Sequence, residues 1–293
     1  MTIKSKEDRL FEIANATVLT CVLIIILYPL IFVLSASISN PLLVIRGDIL
    51  LFPKEITFQA YKQVFQHTEV WQGFTNTLVY TIAGTILNLV LTIMGAYPLS
   101  RRTLPGRKYI MVIILLTMFF SGGLIPTYLV IKQLGLINSY WVMVLPGAIS
   151  VYNLIVMRTF FENIPEELHE AATIDGASTM KTLTRIVLPL SIPIIAVMVL
   201  FYGVTHWNAF FNGLIYLSDR TKYPLQLIIR EILIQSQMQQ MLDQADDSAA
   251  AQLLSAEGIK YALIVVTSLP VLVLYPMLQR YFVKGVMIGA IKG

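Results

Sequence analysis

The chain has 293 residues, of which 56% are hydrophobic and 13% charged, and its mean hydropathy is +0.72. A soluble domain carries about 25% charged residues, so water is excluded as the solvent for most of this chain. The net charge of +4 is accounted for by basic loops at a membrane face, and no nucleic-acid partner is needed to explain it.

Six windows contain no Asp, Glu, Lys or Arg: 13–45, 70–100, 109–131, 133–157, 186–218 and 261–279. A helix rises about 1.5 Å per residue and must cross roughly 30 Å of hydrocarbon, so each window holds one span. Their apolar content is continuous and does not alternate with period two, which argues against an outer-membrane barrel. The predicted fold class is therefore an all-α polytopic membrane protein with six transmembrane helices.

Taken in order, 1–12 is a basic cytoplasmic segment ahead of an uncleaved first helix. Cys21 lies in that helix as a small apolar packing residue, with no partner for an internal disulfide. The transmembrane domain covers 13–280, and 281–293 forms a C-terminal tail. With the N-terminus inside, 13 of the 21 Lys and Arg residues fall on the cytoplasmic side, including the compact cluster Arg101, Arg102, Arg107 and Lys108. The positive-inside rule then places both termini in the cytoplasm, with Arg101 and Arg102 as topology determinants.

Two outer segments are long enough for structure of their own. The first, 37–74, suits an interfacial helix. The second, 213–258, contains an amphipathic run over 225–242. Asp243, Asp246 and Asp247 read as a solvated loop, and His67, His169 and His206 are too dispersed for a metal cluster, so no metal site is expected. Proline and glycine recur inside the apolar runs and predict a kinked bundle.

The cytoplasmic segment 163–188 carries the most information. Asn163 is placed to cap a helix, Pro165 suits its first turn, Glu166 and Glu167 favour its positive end, and Gly176 stops it. Ile164, Leu168, Ala171 and Ala172 share one face, with Glu166, Glu167 and Glu170 around it. Ser178 caps a second helix before Pro189 and Pro193 lead back into the membrane. The product is a compact knob suited to docking in a groove.

Glu170-Ala171-Ala172, Asp175-Gly176-Ala177 and Ile186-Val187-Leu188-Pro189-Leu190 closely resemble, in identity and spacing, the EAA motif of the membrane subunits of ABC importers. The likeness is particularly to the MalG-like carbohydrate permeases with the MetI-like fold. Ser121-Gly122-Gly123-Leu124-Ile125-Pro126-Thr127-Tyr128 and Met157-Arg158-Thr159-Phe160-Phe161 look like the LplC/YtcP-like branch, which includes importers of alginate and pectin-derived fragments. The resemblance covers almost the whole chain. It implies a bacterial inner-membrane permease whose coupling residues are Glu166, Glu167, Glu170, Ala171, Ala172, Asp175, Gly176 and Ala177. It also implies four kinds of partner: a second homologous permease subunit, two ATP-binding subunits, an extracytoplasmic solute-binding protein, and a carbohydrate substrate. Glu170 would face basic residues of the ATPase.

The chain lacks a Gly-x-x-x-x-Gly-Lys-Ser/Thr loop, so ATP and Mg2+ are expected in the partner subunits and no catalytic residue is assigned here. Around the fifth span, Tyr202, His206, Trp207, Asn208, Phe211 and Asn212 combine aromatic faces with amide and imidazole groups suited to sugars. The same spacing also permits helix packing. A permease for another solute and a secondary transporter are the alternatives. The latter predicts internal repeats or an intramembrane ionisable site, and neither stands out.

Overall fold

A computed structural model describes residues 6–242, 258–277 and 279. All regular elements among them are helical. In order they are α1 (Lys6–Ser37), α2 (Pro41–Ile45), α3 (Gln59–Gln66), α4 (Thr68–Ser100), α5 (Arg107–Phe119), α6 (Leu124–Gln133), α7 (Val151–Glu162), α8 (Glu166–Ile174), α9 (Thr179–Thr182), α10 (Leu188–Leu190), α11 (Ile192–Trp207), α12 (Phe211–Tyr216) and α13 (Leu225–Leu242), followed by α14 (Gly258–Met277). A π-helical turn, Leu183–Val187, joins α9 to α10.

Among the described residues, α1, α4 and α14 are each long and apolar enough to cross a membrane. Two bent pairs pass the same test together: α5 with α6 at 111°, and Thr179–Leu190 with α11 at 82°. The window 133–157 departs from the expected pattern. Pro146 and Gly147, the latter at φ +78°, interrupt it. Ser150 then starts α7, whose 12 residues extend past the window to Glu162. At about 1.5 Å per residue α7 reaches about 18 Å, short of a full crossing.

The chain divides into two compact units, Met1–Val70 with Ile229–Leu269, and Trp71–Ile228 with Pro270–Gly293. In the first, Ala36, Val44 and Ile49 form a small core. Phe32 meets Tyr261 edge to face at 5.8 Å, and the Ser37 and Tyr61 hydroxyls lie 2.8 Å apart. Within 37–74 the structure has the short helices α2 and α3. Along α1 the most apolar stretch has none of its residues buried, and Ile25 is 71% exposed. Apolar surface of that extent is disfavoured in water by about 25 cal/mol per Å² and is at home in lipid. Cys21 is exposed on this helix.

The second unit holds a core of Ala96, Tyr97, Met157, Phe161, Val187, Met198 and their neighbours, joining α4, α7, the π-helical turn and α11. Its other end is fastened by hydrogen bonds. The Asn76 amide donates to the Thr221 and Tyr223 carbonyls at 2.7 and 3.0 Å, and Tyr80 donates to the Lys222 carbonyl at 2.8 Å. Asn138 takes the left-handed conformation (φ +57°), and its side-chain oxygen accepts from the Ser218 and Asp219 amides. The amphipathic run expected at 225–242 is α13. The carboxylates Asp243, Asp246 and Asp247 and the 281–293 tail lie outside the described residues.

Candidate functional site

Two places in the second unit gather the residues singled out above. The first is the knob between α7 and α11. Asn163 does not start α8; it ends α7, with its amide donating back to the Thr159 carbonyl at 3.0 Å. Pro165 takes the capping position instead, because it has no amide hydrogen to leave unpaired at a helix start. At the other end Gly176 adopts φ +69° and donates to the Thr173 carbonyl, while the Ala177 amide donates to the Ala172 carbonyl at 2.9 Å. This paired arrangement closes the last turn and is open to glycine at little cost. Ser178 then accepts from the Lys181 amide at 3.3 Å, as expected of a cap.

The face shared by Ile164, Leu168, Ala171 and Ala172 divides. Ala172 is buried and Ile164 packs against the core, whereas Leu168 and Ala171 point outward. Glu167, Glu170 and Asp175 are exposed, Ala177 is half-buried, and Ile174 is 85% exposed. Glu166 is turned inward to this subunit. Its carboxylate meets the Arg101 guanidinium at 2.6 and 3.4 Å, linking the start of α8 to the loop after α4. Glu162 is shared by Arg107 and Arg158. These arginines therefore have partners of their own in addition to any influence on topology.

His169 is on the buried face of α8, 5% exposed, with its ring 6.2 Å from that of Tyr97 and its Nδ1 unpaired. Burial, and next the Arg101 charge, hold it below the ordinary histidine range, with Glu166 opposing. The neutral form is the one that fits, so the unfolded chain binds a proton at a higher pH than the folded chain does. His169 therefore contributes stability that is fully present above its unfolded value of about 6.5 and is lost as pH falls through the lower folded value. Thermal melts of the purified protein between pH 7.5 and 5 should show stability falling with acid. In His169→Gln this part of the slope should disappear, and identical slopes in the two proteins would contradict the assignment.

The second place is a cavity of about 660 Å³ lined by α4, residues 143–153, α11 and α12. Of the six candidates around the fifth span it brings together Tyr202, His206 and Asn212. Trp207 is buried and packs edge to face on Phe74 at 5.7 Å. Asn208 returns its amide to the Val204 carbonyl at 2.9 Å, and Phe211 lies outside the lining. Tyr202 and His206 are engaged within the protein. The Tyr202 hydroxyl lies 2.6 Å from that of Thr92, and His206 Nε2 is 3.1 Å from the Asn88 amide. With the Asn88 oxygen toward the ring, its nitrogen donates to the Gly84 carbonyl at 2.8 Å and to the Ala148 carbonyl at 3.3 Å. Gly84 is needed for this approach, since a Cβ there would strike the His206 ring. Asn88, Ser150, Asn153 and Thr205 also line the cavity and escaped the sequence reading. The available signal was the occurrence of amides and hydroxyls inside charge-free windows.

Comparison with known proteins adds to this geometry. Residues 104–288 match the family described as "Binding-protein-dependent transport system inner membrane component". The chain is 39% identical to "Protein LplC" of Bacillus subtilis, covering 99% of this chain and 97% of that one. It is also 39% identical to the "Polygalacturonan/rhamnogalacturonan transport system permease protein YtcP" of the same organism, covering 98% and 100%. A solved structure titled "Crystal structure of a bacterial ABC transporter involved in the import of the acidic polysaccharide alginate" includes a chain that superposes with a TM-score of 0.86. That chain is 32% identical, with 96% of this chain and 100% of the other covered.

Proposed function

Since the chain belongs to the family of binding-protein-dependent transport inner membrane components, we propose that it is the permease subunit of an ATP-driven importer of oligosaccharides. Alginate or pectin fragments are the leading substrates, because the relatives' names point to acidic polysaccharides. It works beside a second permease subunit, two ATP-binding subunits and an extracytoplasmic solute-binding protein, with both termini in the cytoplasm.

The observation that carries this reading is the knob: a short helix, a glycine-closed turn and a second capped helix, presenting Glu167, Glu170, Leu168, Ala171 and Ile174 outward. Exposed apolar side chains rimmed by carboxylates suit a groove with basic walls. Closure of the ATP-binding subunits would displace α8, and the helices tied to it would change their crossing geometry, so that the solute cavity opens alternately to the two sides. The chain itself supplies the path and the coupling, and hydrolysis is done by the partners.

Reconstitution with these partners in proteoliposomes tests the reading. Wild type should show ATP-driven uptake of an oligosaccharide delivered by the binding protein. Glu170→Lys should cut uptake about tenfold by turning attraction into repulsion. A complex that accumulates no sugar, or a Glu170→Lys complex with full uptake, would refute it.

A further inference from the structure

The basic side chains where the loop after α4 meets α5 and α7 fall into two groups. Arg101 is spent on Glu166, and Arg107 and Arg158 on Glu162. Arg102 and Lys108 are exposed and make no ion pair or side-chain hydrogen bond among the described residues. Both border one cavity of about 430 Å³, whose remaining lining is Leu104, Gly106, Arg107 and Tyr109, with no carboxylate. Two uncommitted cations beside apolar side chains suit a negative charge carried on a hydrocarbon body.

The adjoining face of α5 supplies the apolar surface for that body. Tyr109, Ile113 and Leu116 are all exposed, Tyr109 by 79%, and a spacing of three to four residues sets them in one column. The helix has 13 residues before the chain bends by 111° into α6. At about 1.5 Å per residue it runs about 20 Å, enough to pass one leaflet's share of a hydrocarbon core roughly 30 Å thick. Tyr109, at the charged end of the column, is of the type that anchors at a membrane surface. A second protein helix would cover the column but would also have to desolvate the two cations, and Lys is depleted from the centre of protein interfaces. An acyl chain matches the column in length, and a lipid phosphate answers the charges.

Resting on the importer reading above, which puts this end of α5 at the cytoplasmic membrane surface, we propose that Arg102 and Lys108 hold the phosphate of an anionic phospholipid of the cytoplasmic leaflet. Its acyl chains lie along Tyr109, Ile113 and Leu116. A zwitterionic lipid brings a cation of its own to the same place and fits less well. Arg102 and Arg107 also line a second cavity, together with Glu162 and Glu166, so the bound lipid sits beside the ion pairs that hold α8.

The test uses the full complex reconstituted with its partners in phosphatidylcholine vesicles. Two trace probes differ only in headgroup, phosphatidylglycerol and phosphatidylcholine carrying the same photoactivatable diazirine chain. Cross-linked peptides of this chain are read by mass spectrometry. The phosphatidylglycerol probe should label 107–120 about tenfold more than the phosphatidylcholine probe. Arg102→Gln with Lys108→Gln should lower that label about tenfold, and Arg102→Lys with Lys108→Arg should keep it. Lys54→Gln with Lys62→Gln, which removes the same charge elsewhere, should leave it unchanged. Equal labelling by the two probes, an unchanged label in the first glutamine pair, or an equal loss in the second overturns the proposal. So does a label displaced by excess inorganic phosphate, which would assign the cations to a free anion. Absence of label from 107–120 in the assembled complex would assign the face to a partner subunit and overturns it too. ATP-driven uptake by the same vesicles separates the two levels. Uptake without the headgroup preference sinks the lipid site alone, and absence of uptake in wild type sinks the importer reading beneath it.

Discussion

Gly176→Val should abolish ATP-driven uptake while leaving ATP hydrolysis by the partner subunits measurable. The turn after α8 needs a left-handed residue at φ +69°, a conformation that costs an ordinary residue about 1–2 kcal/mol and a β-branched one more. A Cβ at this site has nothing within 4 Å of it. The penalty is therefore conformational and falls on the two hydrogen bonds, from Gly176 to Thr173 and from Ala177 to Ala172, that end the helix. If the backbone relaxes toward negative φ, Ser178 and α9 swing away from their places relative to α8, and the knob loses the shape by which it is proposed to fit its partner. Gly176→Asn, which tolerates the left-handed region better, should retain more uptake than Gly176→Val. Equal uptake in wild type and Gly176→Val would remove the turn from the coupling mechanism.

Arg101→Glu is expected to lower uptake about tenfold, and the exchange Arg101→Glu with Glu166→Arg to restore most of it. The two side chains are partly exposed, 21% and 49%, and exposed pairs are worth only about 0.2–1 kcal/mol once solvent screening is allowed for. Melting temperature should therefore change little. What the pair supplies is position: a two-pronged contact from the end of α4 holds the first turn of α8, and a guanidinium fork sets distance and angle together. Placing two carboxylates there replaces that contact with repulsion. Uptake and melting point distinguish the roles, because a purely stabilising pair would move both and a dispensable pair neither. Failure of the exchanged pair to recover uptake would mean that one of the two residues acts through a different contact.

Features governed by near neighbours were legible in the sequence. Charge-free windows marked α1, α4 and α14, since a span needs only length and apolarity. The turn at Gly176 and the cap at Ser178 were readable because a few consecutive residues determine them. Asn163 was misplaced by a short distance: an asparagine suits either end of a helix junction, and only the geometry shows that it closes α7. The Arg101–Glu166 contact was hidden because 65 residues separate the two, and Glu166 looked like one more outward carboxylate. In the cavity beside α11, Tyr202, His206 and Asn212 were found by composition, but the partners that engage Tyr202 and His206 come from α4, more than a hundred residues away. Asn153 stood alone in an apolar window and carried no pattern.

The bend of 82° between Thr179–Leu190 and α11 gives the second unit a cranked shaft. Twelve residues of mostly helical chain make an arm of about 18 Å, jointed at Ser191, whose side chain is fully buried. A push of about 3 Å on the outer end of such an arm turns it through roughly 10° if its helical rise stays near 1.5 Å per residue. Because α11 leaves the joint nearly at right angles, a sideways thrust at the outer end of the arm reaches it chiefly as a roll about its own axis. A roll re-aims every residue that α11 presents to the cavity while leaving its displacement along its own axis almost unchanged.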